Sequence, residues 1–227
     1  MALQLVIGNK NYSSWSMRPW VLMRQLGIAF EERKLRFDFA DDSDFRRQVA
    51  AVSPAGLVPV LLDDGLAVWD TLAITEYLAE KFPGLGVWPA DARRRARARS
   101  LCAEMHGGFG ALRRHCAMNI EAALPDVGER LWAEQPALQH DVARLETMWA
   151  EALDASGGPF LFGDFGAADA FYAPVCTRIV TYALPVSDST RAYVRRVLAA
   201  PGTASWVADA LAEADFIADE EPYRSGR

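Results

Sequence analysis

Residues 58–82 read VPVLLDDGLAVWDTLAITEYLAEKF, and this stretch decides the fold. Val58–Leu62 is apolar and rich in β-branched residues, and Leu66–Trp69 repeats the type, so both are predicted strands. Asp63-Asp64-Gly65 between them supplies a tight turn whose glycine can take positive φ, the mark of a hairpin. The pattern then changes period. Ile74, Tyr77, Leu78 and Phe82 stand at i, i+3, i+4 and i+8, one apolar face of a helix, and Pro83 stops it. Upstream, Leu3–Ile7 reads as a strand, Gly8–Ser14 as a turn, and the segment from Met17 to Leu26 as a helix closed by Gly27. Phe30–Phe39 alternates like a strand, and Ser43–Val52 reads as a helix ending before Ser53-Pro54. The order β-α-β-α-β-β-α is complete before residue 83.

Downstream the strand signals cease. Residues 84–89 are linker-like, with glycine and proline closely spaced. Asp91–Met118, Asp126–Ala155, Ala167–Leu184, Ser189–Leu198 and Thr203–Ala214 all read as helices, and an acidic tail from Asp219 is expected to fray. The expected organisation is therefore an α/β domain over 1–83, a linker over 84–89 and an all-helical domain over 90–227. Five arginines crowd into Arg93–Arg99, which reads as a solvated helix face.

The chain has 227 residues, 51% hydrophobic and 24% charged, the balance of an ordered globular protein large enough to need no staple. A net charge of −6 speaks against nucleic acid as partner. Three cysteines without a CxxC and three histidines without metal-motif spacing predict neither a disulfide framework nor a metal site. No apolar run approaches the ~20 residues needed to span a bilayer, and the amino terminus lacks the basic region of a signal peptide, so a cytoplasmic location is expected.

Four segments carry a resemblance: Tyr12-Ser13-Ser14-Trp15-Ser16-Met17-Arg18-Pro19-Trp20, Ser53–Leu61, Val68-Trp69-Asp70-Thr71-Leu72-Ala73-Ile74, and Gly163-Asp164-Phe165-Gly166-Ala167-Ala168-Asp169. In that order they resemble the cytosolic glutathione transferase superfamily, most closely its bacterial serine-type and zeta-class members. The resemblance implies a thioredoxin-like amino-terminal domain, a helical carboxy-terminal domain, a homodimer, and glutathione as co-substrate in detoxifying conjugation of a small apolar electrophile. A zeta-like glutathione-dependent cis–trans isomerase of the maleylacetoacetate type, and a non-catalytic interaction protein on the same fold, are the alternatives it leaves open.

The same resemblance assigns expected roles. Ser13 would stabilise the glutathione thiolate, with Ser14 or Ser16 capping the following helix; Ser14 and Ser16 also compete for the thiol contact. Val58, ahead of a cis peptide to Pro59, would pair with the cysteinyl main chain. Thr71 would take the γ-glutamyl carboxylate at a helix amino terminus and Asp70 the ammonium, although an aspartate there is also an ordinary N-cap. Tyr12 and Trp15, with Met105, His106 and Phe109 of one helix, would line the electrophile pocket. Two positions depart from the family pattern: Trp15 stands where zeta-type motifs carry cysteine, and Leu57 where many relatives carry lysine or glutamine. Asp169 would close a capping box of which Gly166 cannot supply the other half.

Overall fold

The computed structural model describes residues 3–227. Four strands, β1 (Leu3–Ile7), β2 (Phe30–Lys34), β3 (Val60–Asp63) and β4 (Leu66–Trp69), form one sheet in the order β2-β1-β3-β4. The β1–β2 pair is parallel; β1–β3 and β3–β4 are antiparallel. Alternation divides the central strand between two cores. Leu5 and Ile7 face the main core, whereas Val6 joins Val60, Phe37, Phe45 and Val49 on the opposite side. Helix α1 (Ser14–Gln25) and α3 (Thr71–Lys81) cover the first face, and α2 (Asp44–Ala50) the second. This is the expected α/β thioredoxin-like layout.

Two strands are shorter or shifted relative to the sequence reading. The expected Phe30–Phe39 strand ends at Lys34, because β1 ends at Ile7 and offers no further ladder; beyond it the Phe37 N–H donates to Asn9 Oδ1 at 2.7 Å instead. The strand expected from Val58 begins at Val60, after Pro59, which has no N–H to donate.

The rest of the chain is helical: α4 (Ala92–Gly107), α5 (Gly110–His115), α6 (Pro125–Glu134), α7 (Pro136–Ser156), α8 (Ala167–Thr181), α9 (Asp188–Ala199) and α10 (Pro201–Glu213). The long helices expected over 91–118 and 126–155 are each broken. Gly107-Gly108 and a left-handed Phe109 (φ 54°) separate α4 from α5. At Gln135-Pro136 the proline has no N–H, and the residue before it leaves the helical region (φ −120°, ψ 82°). Nearly every side chain of α8 is buried, and α1 packs on both α8 and α10, so the two halves share one hydrophobic core. At the α1–α10 crossing, Trp20 meets Trp206 edge-on at 5.3 Å, and Gly202 lets α10 approach the Val21 carbonyl closely.

The tail does not fray. Ile217 and Glu221 are buried. Glu221 accepts from Tyr12 Oη (2.7 Å), Asn119 Nδ2 (2.8 Å) and Arg224 Nε (2.8 Å). A run that looks solvated by charge alone is ordered because each buried carboxylate oxygen meets a donor from another segment. In the arginine run, Arg97 pairs with Glu151 and Arg99 with Glu76, both within the chain. Asp169 accepts from the N–H groups of Gly166 (3.0 Å) and Leu161 (3.1 Å) and from Tyr193 Oη (2.8 Å), which organises the start of α8.

Candidate active site

The loop from Gly8 to Ser13 delivers the chain from the end of β1 to the start of α1. Ser13 is the N-cap: its Oγ accepts from the Ser16 N–H at 3.4 Å and contacts Ser16 Oγ at 2.7 Å. The division of labour expected from sequence is corrected here, since the cap is Ser13 itself and not Ser14 or Ser16. Ser16 Oγ also accepts from the Gly8 N–H at 3.2 Å, tying the strand end to the helix start. Ser14 opens the helix with its hydroxyl free of hydrogen bonds to the described residues.

Two cavities meet at this point. The smaller, about 460 Å³, is lined by Trp15, Leu57, Val58, Pro59, Trp69, Asp70, Thr71 and His106. The larger, about 730 Å³, has Ser13, Ser14, Tyr12 and Trp15 in its lining, together with Phe37, Phe39 and Arg113. Trp15, Leu57 and Val58 belong to both and form the boundary. Val58-Pro59 is a cis peptide. Val58 lies outside the sheet ladder, and neither its N–H nor its C=O is hydrogen-bonded to any described residue.

Asp70 and Thr71 stand at the amino terminus of α3. Asp70 Oδ1 accepts from the Leu72 N–H at 2.9 Å, as a cap should. Its backbone is in the left-handed half of φ/ψ space (φ 72°, ψ 136°), a conformation that costs of the order of 1–3 kcal/mol in a non-glycine residue and concentrates at functional sites. Its other oxygen lies 3.3 Å from His106 Nε2 on α4. Thr71 is 1% exposed, and its Oγ1 is buried without a hydrogen-bond partner. An unmet hydroxyl at a helix amino terminus in a cavity wall is a ready site for an anionic group.

Other expected residues are placed differently. Met105 is fully buried in the core and Phe109 nearly so, and neither lines these cavities; of the three only His106 does, edge-on to Trp15 at 5.0 Å. Tyr12 contributes its ring to the larger cavity while its hydroxyl is bound by Glu221; burial, then that bond, push its pKa up to about 12. Cys102, Cys116 and Cys176 are free, buried and far from thiolate character, since burial raises all three.

Four cationic residues of the larger cavity escape sequence reasoning: Arg46, Arg113, Arg114 and Arg178. For Arg178 a signal existed, because it is the one basic residue inside a largely apolar and almost entirely buried helix.

Residues 12–81 match the family model for the glutathione S-transferase amino-terminal domain. A glutathione transferase homolog from Burkholderia GL BGR1, solved with bound glutathione, superposes with a TM-score of 0.68 at 27% identity, covering 92% of this chain and 97% of that one. The chain resembles the glutathione transferase superfamily over nearly its whole length. Within that superfamily, glutathione S-transferase 1 of Dianthus caryophyllus is 27% identical over 171 residues, 74% of each chain. Maleylacetoacetate isomerase of Rhizobium meliloti is 37% identical over 101 residues, 44% of this chain and 46% of that protein. The family match covers the segment that contains Ser13, Val58, Asp70 and Thr71. Among the described residues there is no cluster with metal-ligand composition, and no helix long and apolar enough to cross a membrane.

Proposed function

We propose that this chain conjugates the thiol of glutathione to a small electrophile, with Ser13 holding the sulfur as thiolate. The observation that carries this reading is a row of polar groups along one wall: the unpartnered Val58 main chain, the buried and unpartnered Thr71 hydroxyl, and beside them the exposed Asp70 carboxylate. A tripeptide with a carboxylate and an ammonium at one end complements it. The γ-glutamyl carboxylate goes to Thr71 at the α3 amino terminus, the ammonium to Asp70, and the cysteinyl main chain to Val58 beside Pro59. The sulfur then faces the α1 amino terminus, where Ser13 and Ser14 stand.

A free thiol has pKa about 8.5, so only a few per cent is ionised at neutral pH. Lowering it by about two units requires about 2.7 kcal/mol of preference for the anion. One hydrogen bond to a charged group contributes about 1.5–3 kcal/mol, and the helix dipole adds to it. Ser13 and Ser16 are arranged to supply that bond. In the resting chain the Ser13 hydroxyl donates to Ser16 Oγ at 2.7 Å. Turning that O–H from Ser16 to the sulfur supplies the bond, while Ser16 continues to accept from Gly8. The thiol proton leaves to solvent, the sulfur–carbon bond forms, and the leaving group departs with its electron pair. Trp15 in place of a cysteine leaves the ligand as the source of reactive sulfur.

The stretch shared with a maleylacetoacetate isomerase supports a second reading, in which the same thiolate adds to a conjugated double bond and is expelled after rotation. We further read the protein as a cytoplasmic homodimer, as is usual in the family. Retention on immobilised glutathione, followed by rates with 1-chloro-2,4-dinitrobenzene and with maleylacetone, tests these readings. Failure to bind glutathione would leave the interaction-protein alternative.

A further inference from the structure

The larger cavity holds more positive charge than thiolate chemistry uses. Arg178 of α8 is 4% exposed and lines it; its Nε donates to the Cys116 carbonyl at 2.8 Å, and its Nη1 is buried without a partner. Arg113 of α5 lines the same wall with its Nε buried and unpartnered, and its guanidinium is 5.7 Å from the centre of the Trp15 ring. Behind Trp15, Arg18 is 1% exposed and none of its three guanidinium nitrogens has a hydrogen bond. It lies 4.1 Å from the Trp15 ring centre and 5.1 Å from that of Phe171. Arg18, the basic residue closest to the site by sequence, therefore supports the wall from behind without lining it.

Burial, then the like charges of Arg178 and Arg113, lower the Arg18 pKa to about 9; burial lowers Arg178 to about 10. Both stay protonated at neutral pH. Glu220 is the one acid in the lining, and it makes no hydrogen bond through its carboxylate to the described residues. Glu220 is the one negative charge among these cations, so buried guanidinium N–H groups left without partners are relieved by an anion that enters among them, and a guanidinium offers paired donors to a planar carboxylate. Phe37, Phe39 and Met118 supply an apolar wall for the remainder of such a molecule.

We propose that the larger cavity is a carboxylate site, in which Arg178 and Arg113 bind the acidic group of the second substrate and select anionic electrophiles over neutral ones. This rests on the transferase reading, and the test separates the two. The probes are 4-chloro-3,5-dinitrobenzoate and its methyl ester, which share a reactive ring and differ in charge. With glutathione, the wild-type protein is expected to favour the acid over the ester in kcat/KM by roughly tenfold or more, the scale of one charge-assisted hydrogen bond. Arg113→Gln and Arg178→Gln bring that ratio toward one. Glu220→Gln removes the competing negative charge and raises the ratio, so the test survives if the Arg178 variant does not fold. Equal use of acid and ester by the wild type overturns the proposal, as does a preference that persists in the arginine variants. Glutathione monoethyl ester, with its glycyl carboxylate masked, distinguishes the other source of the same chemistry. If masking abolishes the effect of the arginine substitutions, the arginines hold glutathione and the proposal fails. If glutathione does not bind at all, calorimetry with 4-nitrobenzoate and 4-nitrobenzamide still decides the cavity. Binding of the acid alone, lost in Arg113→Gln, sustains it; equal or absent binding of the acid refutes it.

Discussion

Replacing Ser13 by alanine separates two jobs that one hydroxyl performs. The first is structural. Ser13 caps α1 through a long bond to the Ser16 N–H (3.4 Å), and losing a serine cap costs about 1 kcal/mol. The second is chemical. If Ser13 supplies one hydrogen bond to the sulfur, its loss costs the thiolate about 1.5–3 kcal/mol, a rise of about 1–2 units in the pKa of bound glutathione. With a bound thiol near pKa 6.5 in the wild type and about 8 in the variant, the ionised fraction at pH 6.5 falls from about one half to about 3%. The conjugation rate at that pH then falls roughly fifteenfold and recovers above pH 9, where both proteins carry thiolate. The assay is the ultraviolet absorbance of the enzyme-bound thiolate titrated with pH, run beside the pH–rate profile. Ser14→Ala is titrated in parallel, because Ser14 has the free hydroxyl at the same helix start. A bound-thiol pKa that stays in place in Ser13→Ala and moves in Ser14→Ala would refute the assignment.

Thr71→Val keeps the shape of a buried side chain and removes a hydroxyl with no internal partner, so urea unfolding should show stability unchanged or raised. The KM for glutathione should nevertheless rise about tenfold or more, since a bond to a carboxylate is lost; an unchanged KM would dissociate Thr71 from the ligand. Gly202→Ala places a Cβ 2.7 Å from the Val21 carbonyl oxygen at the α1–α10 crossing, and the overpacking should cost roughly 1–3 kcal/mol in chemical denaturation. Burial raises the Asp169 pKa to about 6, so the folded protein holds that proton more tightly than the unfolded chain does. This group therefore makes stability fall as pH rises between about 4 and 6, by an amount of the order of 3 kcal/mol, and the slope should flatten in Asp169→Asn. Identical slopes in the two proteins would show that Asp169 does not titrate in that range.

The local order of elements in the first domain was legible because each period is a property of neighbouring residues. Val60–Asp63 and Leu66–Trp69 meet at Asp64-Gly65, and the helix that follows begins at Thr71, where the apolar spacing changes. Gly107-Gly108 and Pro136 were legible too, but a long apolar periodicity outweighed these breaks and joined helices that the chain divides. Ser13, Ser14, Asp70 and Thr71 could be nominated from their motifs, although a motif does not say which serine caps and which hydroxyl is free. That division depends on a 2.7 Å contact between Ser13 and Ser16.

The amino-acid sequence by itself determined that an α/β beginning is followed by a helical remainder, because that is written in short-range patterns of apolarity, turns and caps, and its motifs nominated the segments around the candidate site. Tertiary structure alone decided what faces that site. Met105 and His106 are adjacent in sequence, yet one turn of α4 buries the first and sends the second to Asp70. Arg18, Arg113 and Arg178 lie on three different helices, and Glu221 reaches Tyr12 across 209 residues of chain. Charges brought together from such distances leave no local pattern, since their proximity is set by how α1, α5 and α8 pack around Trp15 and Phe171.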